Sequence, residues 1–251
     1  MSAVLLDVTD LVEFLQRQES ASGVQRVIEQ TVPLLLGALD ARAVVLDRGR
    51  GAFVDLDEAE EQALLLTSHA TDSLRGQTAQ AASACLARAR SAPVSVIDSA
   101  CTMMFLGAVW ISDALMMAAR QAHAQGARMI YLLYDLTPVM ETGHTAAVNR
   151  LFERYLWLIM QTASAVPAIS QSSRQDFVRY CDAQGSPAPP GEATGLPCGL
   201  QPGAFHLEQV PWPRPYALFV GTVESRKNHI LALRTWERLI QRHVRHPGPP
   251  R

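Results

Sequence analysis

The chain has 251 residues, 48% hydrophobic and 18% charged, which suits one large or two small globular domains. A formal net charge of −2 gives no electrostatic case for nucleic acid or an anionic membrane as the main partner. Cys85, Cys101, Cys181 and Cys198 form no CxxC pair, so a reduced chain without a zinc site is expected.

Taken in order, "AVLLDV" reads as a strand ending near Asp7, and "DLVEFLQRQ" as a short helix. "SASG" interrupts the pattern before "VQRVIEQTVPLLLGAL" resumes helical spacing at Val24, Val27, Ile28, Val32 and Leu35. "ARAVVLDR" and "GAFVDLD" are strands around the turn signal "GRG". "DEAEEQALLL" and "DSLRGQTAQAASACLARAR" are helical, "PVSVIDSA" reads as an apolar strand, and "SDALMMAARQAHAQG" is a helix stopped by Gly126. "ARMIYLLYDL" is a buried-type strand and "HTAAVNRLFERYLWLIMQTAS" a long helix whose Trp157 and Met160 read as core. "AVPAIS" is a short strand, and "QSSRQDFVRYCDAQG" a helix with a serine N-cap. The N-terminus "MSAVLLDVTD" meets Asp7 too early for a signal peptide, and "MMFLGAVWI" falls short of the roughly 20 residues needed to span a bilayer.

Strands and helices alternate to about Gly185, and several strands are unbroken apolar runs. That pattern predicts an α/β fold with a parallel sheet covered on both faces, in a Rossmann-like, doubly wound arrangement. The strand ends near Asp7, Asp98, Tyr134 and Ser170 are expected on one rim. The proline- and glycine-rich stretch 186–215 reads as a linker between a domain over 1–185 and a second unit over 216–251. In that unit "YALFVG" starts a fresh strand–loop–helix. A single βα unit cannot bury its own strand, so the second domain is expected to be cut short.

In "GTVESRKNH", Gly221 ends the strand, Arg226 and Lys227 follow, and a helix starts near Asn228. Lys227 is the only lysine in the chain. Two cations beside a helix N-terminus, at the strand end where open sheets bind ligands, form a phosphate cradle. The chain carries neither a Walker loop nor GxGxxG.

"YALFVGTVESRKNHILALRTWERL" resembles the opening of the donor domain in the group 1 family of retaining glycosyltransferases. "SASGVQRVIEQ" is similar to the family's Gly-Val/Ile-Gln-Arg loop, and "YLLYDLTPV" to its strand-end Asp-Leu-Ile-Pro element. "FERYLWLIMQTASAVPAISQSSRQDFVRY" resembles its helix and Ile-Ser-x-x-Ser/Thr segment, and "LPCGLQPGAF" its interdomain turn. The resemblance implies the GT-B fold, two Rossmann-like domains facing across a cleft. It also implies transfer of a sugar, with retention, from a nucleotide diphosphate sugar to a polysaccharide or lipid-linked oligosaccharide, with no cofactor and no metal.

Carried over by position, Arg226 and Lys227 would bind the donor diphosphate, with Gly23 and Gly221 approaching it through backbone. Asp135 would position an acceptor hydroxyl as the catalytic residue, or else cap the loop before Pro138. Tyr134 stands where the family often has His, and His144 would line the acceptor cleft. Gly23, Asp135 and Arg226 are expected to share one cleft. The family's Glu-x7-Glu segment is absent, so this chain alone is expected to be inactive or impaired. The rival reading is a non-catalytic remnant or binding module that needs a partner chain; a sugar-nucleotide epimerase of the same fold is a third. The implied partners are a nucleotide sugar and a glycan or lipid-linked acceptor, not nucleic acid. The implied location is the cytoplasm, with at most peripheral attachment at the inner face of the membrane.

Overall fold

β1 (Ala3–Asp7) lies at the centre of a sheet of order β3-β2-β1-β4-β5-β6. The computed structural model describes residues 3–17, 23–65, 75–140, 145–196, 217–221, 223 and 227–245. The other strands are β2 (Ala41–Asp47), β3 (Ala52–Asp55), β4 (Cys101–Phe105), β5 (Arg128–Tyr131) and β6 (Ala163–Ala165). Pairing is parallel from β2 through β1, β4 and β5 to β6, with Leu5 opposite Arg42 on one side and Met103 on the other. β3 is the exception to the all-parallel expectation, pairing antiparallel with β2. Its connection spans only residues 48–51, far too short for the crossover that a parallel neighbour requires.

The apolar runs are continuous because both faces are covered. In β2, Val44 and Leu46 pack into one core while Ala43 and Val45 pack into the other. The first core joins β1, β4 and β5 to α5 (Asp113–Ala124), α6 (Thr137–Met140), α7 (Ala146–Thr162) and α8 (Gln171–Ala183), through Leu115, Val139, Tyr155, Ile159 and Phe177. The second sits under α1 (Thr9–Arg17), α2 (Gly23–Ala38), α3 (Glu58–Leu64) and α4 (Arg75–Ala89), through Leu11, Ile28, Leu64 and Cys85. The result is an α/β fold with a six-stranded, mostly parallel sheet and helices on both faces.

Three expectations need correction. "PVSVIDSA" is not a strand; β4 is Cys101–Phe105, drawn from the following apolar run. Val94 and Val96 face solvent, and Ser95 merely donates its N–H to the Phe53 carbonyl at the sheet edge. Asp98 therefore precedes β4 and lies at the amino-terminal rim, where Cys101 is opposite Ala3, instead of sharing a rim with Asp7. Trp157 is 44% exposed, because it projects from the outer side of α7 while Leu156, Leu158 and Ile159 face inward.

The chain forms two compact units, Met1–Gly199 and Leu200–Arg251. The first reaches past Gly185 because residues 190–194 run alongside Val166 and Ala168. Val166 N–H donates to the Pro190 carbonyl at 2.7 Å, and Ala168 N–H to the Glu192 carbonyl at 2.9 Å. In the second unit, residues 217–220 of the expected strand have no ladder partner among the described residues. α9 (His229–Arg245) does form, with the Phe219 ring 4.8 Å edge-on from the His229 ring. No described helix is long and apolar enough to cross a membrane.

Candidate functional site

The strand order reverses at the β1–β4 pair, since β2 lies to one side of β1 and β5 beyond β4. Parallel strands splay their connections to opposite faces at such a point, leaving a crevice at the carboxyl ends. Asp7 closes β1 there. It is 1% exposed, and its Oδ1 accepts from the Thr9 N–H at 3.1 Å and the Thr9 hydroxyl at 2.5 Å. Thr9 is itself held by the Leu46 N–H, at 2.9 Å. Asp7 Oδ2 is buried without a hydrogen-bond partner. Burial pushes the Asp7 carboxyl up to about 7; the Thr9 bonds pull the other way and the neighbouring Asp10 and Glu13 charges add to the rise.

Asp10, in the first turn of α1, ties the crevice together. Its Oδ2 accepts from Gln25 Nε2 at 2.8 Å and from the Ala108 N–H at 2.9 Å. The first turn of α2 is thereby fastened to the loop after β4. Burial raises the Asp10 pKa, opposed by the Ala108 and Gln25 bonds. Gly107 makes this approach possible: a Cβ there would sit 2.8 Å from Asp10 Cβ.

The next link runs from β4 to β5. The Tyr134 hydroxyl donates to the Leu106 carbonyl at 2.6 Å, and its ring meets Trp110 edge-on at 6.4 Å. Burial raises the pKa of this phenol, so it stays protonated as a donor. The Ser173 hydroxyl donates to the Tyr134 carbonyl at 2.6 Å, and Ser170 Oγ caps α8 by accepting from the Ser173 N–H at 3.1 Å. One polar belt thus crosses from α2 through α1 and the β4 loop to α8.

Among the residues singled out from sequence, Gly23 opens α2, exposed, with nothing within 4 Å of where a Cβ would lie. Its turn belongs to the belt through Gln25. Tyr134 is in the belt, and its hydroxyl is taken up by the Leu106 carbonyl. Asp135 follows it on the same rim, exposed, with Oδ1 accepting from the Thr137 N–H at 3.1 Å. Ser170 also lies on this rim. Gly221 and Lys227 belong to the second unit; Lys227 is exposed just before α9. Asn228, at φ 55°, accepts through Oδ1 from the Leu231 N–H at 3.3 Å and so caps that helix. Arg226 and His144 lie outside the described residues, as does Cys198. The described cysteines, Cys85, Cys101 and Cys181, are buried free thiols.

The reading from sequence passed over Asp10, Gln25 and Gly107. Gln25 stands inside the quoted "SGVQR" loop, and Gly107 interrupts an apolar run directly after β4. Those were the available signals. That an aspartate 15 residues before Gln25 holds both together is a tertiary fact. Among the described residues, no group of three or more His, Cys, Asp or Glu side chains could hold a metal ion. No family model, curated protein or solved structure matches the chain.

Proposed function

We propose that the chain belongs to a retaining glycosyltransferase of GT-B design, with the first unit as a Rossmann-like acceptor-side domain and the second as a donor-side unit. The observation that carries this reading is the Asp10 belt. It holds the open N-terminal turn of α2 at the reversal point of the sheet, where doubly wound folds bind ligands. The sequence resemblance supplies the reaction class. Lys227 beside the capped start of α9 supports an anion-binding role for the second unit.

In this reading the bond between the sugar and the diphosphate breaks as the acceptor oxygen bonds to the same carbon, and the hydroxyl proton passes to the departing phosphate oxygen. The departing diphosphate gathers negative charge, which Arg226, Lys227 and the N-terminus of α9 offset. Asp135, exposed on the rim beside the belt, orients the acceptor hydroxyl. Tyr134 positions the loop after β4 through Leu106, without touching substrate.

Titration of the chain with nucleoside diphosphates tests this reading. One charge-assisted contact is worth about 1.5–3 kcal/mol, so Lys227→Ala is expected to weaken binding roughly tenfold or more. Equal affinity in wild type and variant, or no binding above an ionic-strength control, overturns it.

A further inference from the structure

A second crevice, of about 530 Å³, opens at the carboxyl end of β2, apart from the Asp10 belt. Its walls are the last turns of α1 and α4 and the β2–β3 turn, and Leu46 and Leu86 supply apolar surface. Four arginines line it: Arg17, Arg48, Arg50 and Arg90. Only two carboxylates, Glu13 and Asp47, face them.

The two pairs leave a charge imbalance. Arg48 grips Glu13 with both Nε, at 2.5 Å, and Nη2, at 2.7 Å. Arg50 pairs with Asp47 through Nε, while its Nη atoms donate to the Ala89 and Ala92 carbonyls at the end of α4. Each Arg50 nitrogen therefore has a partner, and the side chain serves as a clamp between turn and helix. Arg17 and Arg90 are exposed and have no ion-pair partner among the described residues. Arg48 keeps Nη1 uncommitted. The C-terminal ends of α1 and α4 carry about half a negative charge each, which tempers two full cations without cancelling them.

We infer that this crevice is an anion site that takes a phosphate group, held by the forks of Arg17 and Arg90 with Arg48 beside them. Guanidinium forks match the paired oxygens of phosphate, and two of them, at the end of α1 and just past α4, line one volume. That volume falls in the range of small-ligand sites. Resting on the glycosyltransferase reading, the group would be a phosphate carried by the acceptor, distinct from the donor diphosphate. The anion site itself stands on the arginines alone.

The test uses the full chain carrying Lys227→Ala, so that the contribution of the proposed donor site is reduced in every sample alike. Inorganic pyrophosphate is titrated calorimetrically at low ionic strength, with potassium chloride as the matched control. A second arm measures binding to phosphatidylglycerol vesicles against phosphatidylcholine vesicles, separating a soluble phosphate from a lipid-borne one. Arg17→Gln/Arg90→Gln is expected to weaken binding at least tenfold in whichever arm binds. Arg120→Gln, an exposed arginine on α5, is expected to leave it within twofold. Both variants change exposed side chains, and circular dichroism checks that they fold. No binding in either arm, or equal loss in the Arg120 control, overturns the proposal. Failure of nucleoside diphosphate binding at Lys227 would leave this result untouched.

Discussion

Asp7 is a carboxyl group that the fold prefers neutral. It sits at the end of a central strand with one oxygen satisfied by Thr9 and the other unpartnered. The unfolded chain releases this proton near the ordinary value of 3.8, while the folded state keeps it to about 7. Below the lower value both states are protonated and burial costs little. Between the two, unfolding releases a proton, so stability falls as pH rises. Above about 7 the full cost is present and the slope ends. The span corresponds to a loss on the order of 4 kcal/mol. Glu29, also pushed up to about 7 by burial, adds a slope of the same sign. Asp7→Asn is expected to flatten the wild-type slope between pH 4 and 7 and to be the more stable protein at pH 8. Urea unfolding at several pH values measures both, and parallel slopes would contradict the assignment.

Among the elements, the segment 190–194 shows how a stretch that reads as linker becomes structure. Its carbonyls accept from Val166 and Ala168, and Thr194 N–H returns a bond to the Ala168 carbonyl at 2.8 Å. These bonds give the edge near β6 a partner and cover backbone groups that would otherwise stand open. Gly191 is the condition for it, since a Cβ there would lie 2.0 Å from the Val166 carbonyl oxygen. The Gly191→Ala chain must move this segment away. The expected cost is about 1–3 kcal/mol by analogy with overpacked sites. Hydrogen exchange locates it: the Val166 and Ala168 amides lose protection, while amides of β1 and β4 keep theirs. A uniform loss across the sheet would mean that the segment does not act as a local edge.

For the whole molecule, both hydrophobic cores lie inside the first unit, from Leu5 to Cys181. The Asp10 belt and the arginine crevice lie there as well. A chain of residues 1–199 is therefore expected to fold alone, with a thermal midpoint within a few degrees of the 251-residue chain. It is also expected to retain pyrophosphate binding. Nucleoside diphosphate binding dependent on Lys227 is expected to be lost with the second unit. A fragment that fails to fold would show that Leu200–Arg251 contributes to the first core.

What the sequence determined by itself is what local pattern carries. The unbroken apolar runs at β2 and β5 announced burial on both faces, and "GRG" announced a turn, though not that β2 and β3 pair antiparallel across it. The serine before α8 and the asparagine before α9 announced helix starts, because caps are built from neighbours in the chain. β4 was misread because "PVSVIDSA" and "CTMMF" are both short and apolar. Only pairing with β1 on one side and β5 on the other decides which is central. The same limit applies to the site. Tyr134 and Gly23 could be chosen from motif and position, but the partner of Gln25 is Asp10 and that of Tyr134 is Leu106. Those contacts exist because parallel strands bring distant loops to one rim. The arginine crevice is the extreme case: Arg17, Arg48 and Arg90 lie far apart in the chain and meet where α1, the β2–β3 turn and α4 end together. Charge spacing along a sequence does not encode that meeting, because it depends on how the helices pack over the sheet.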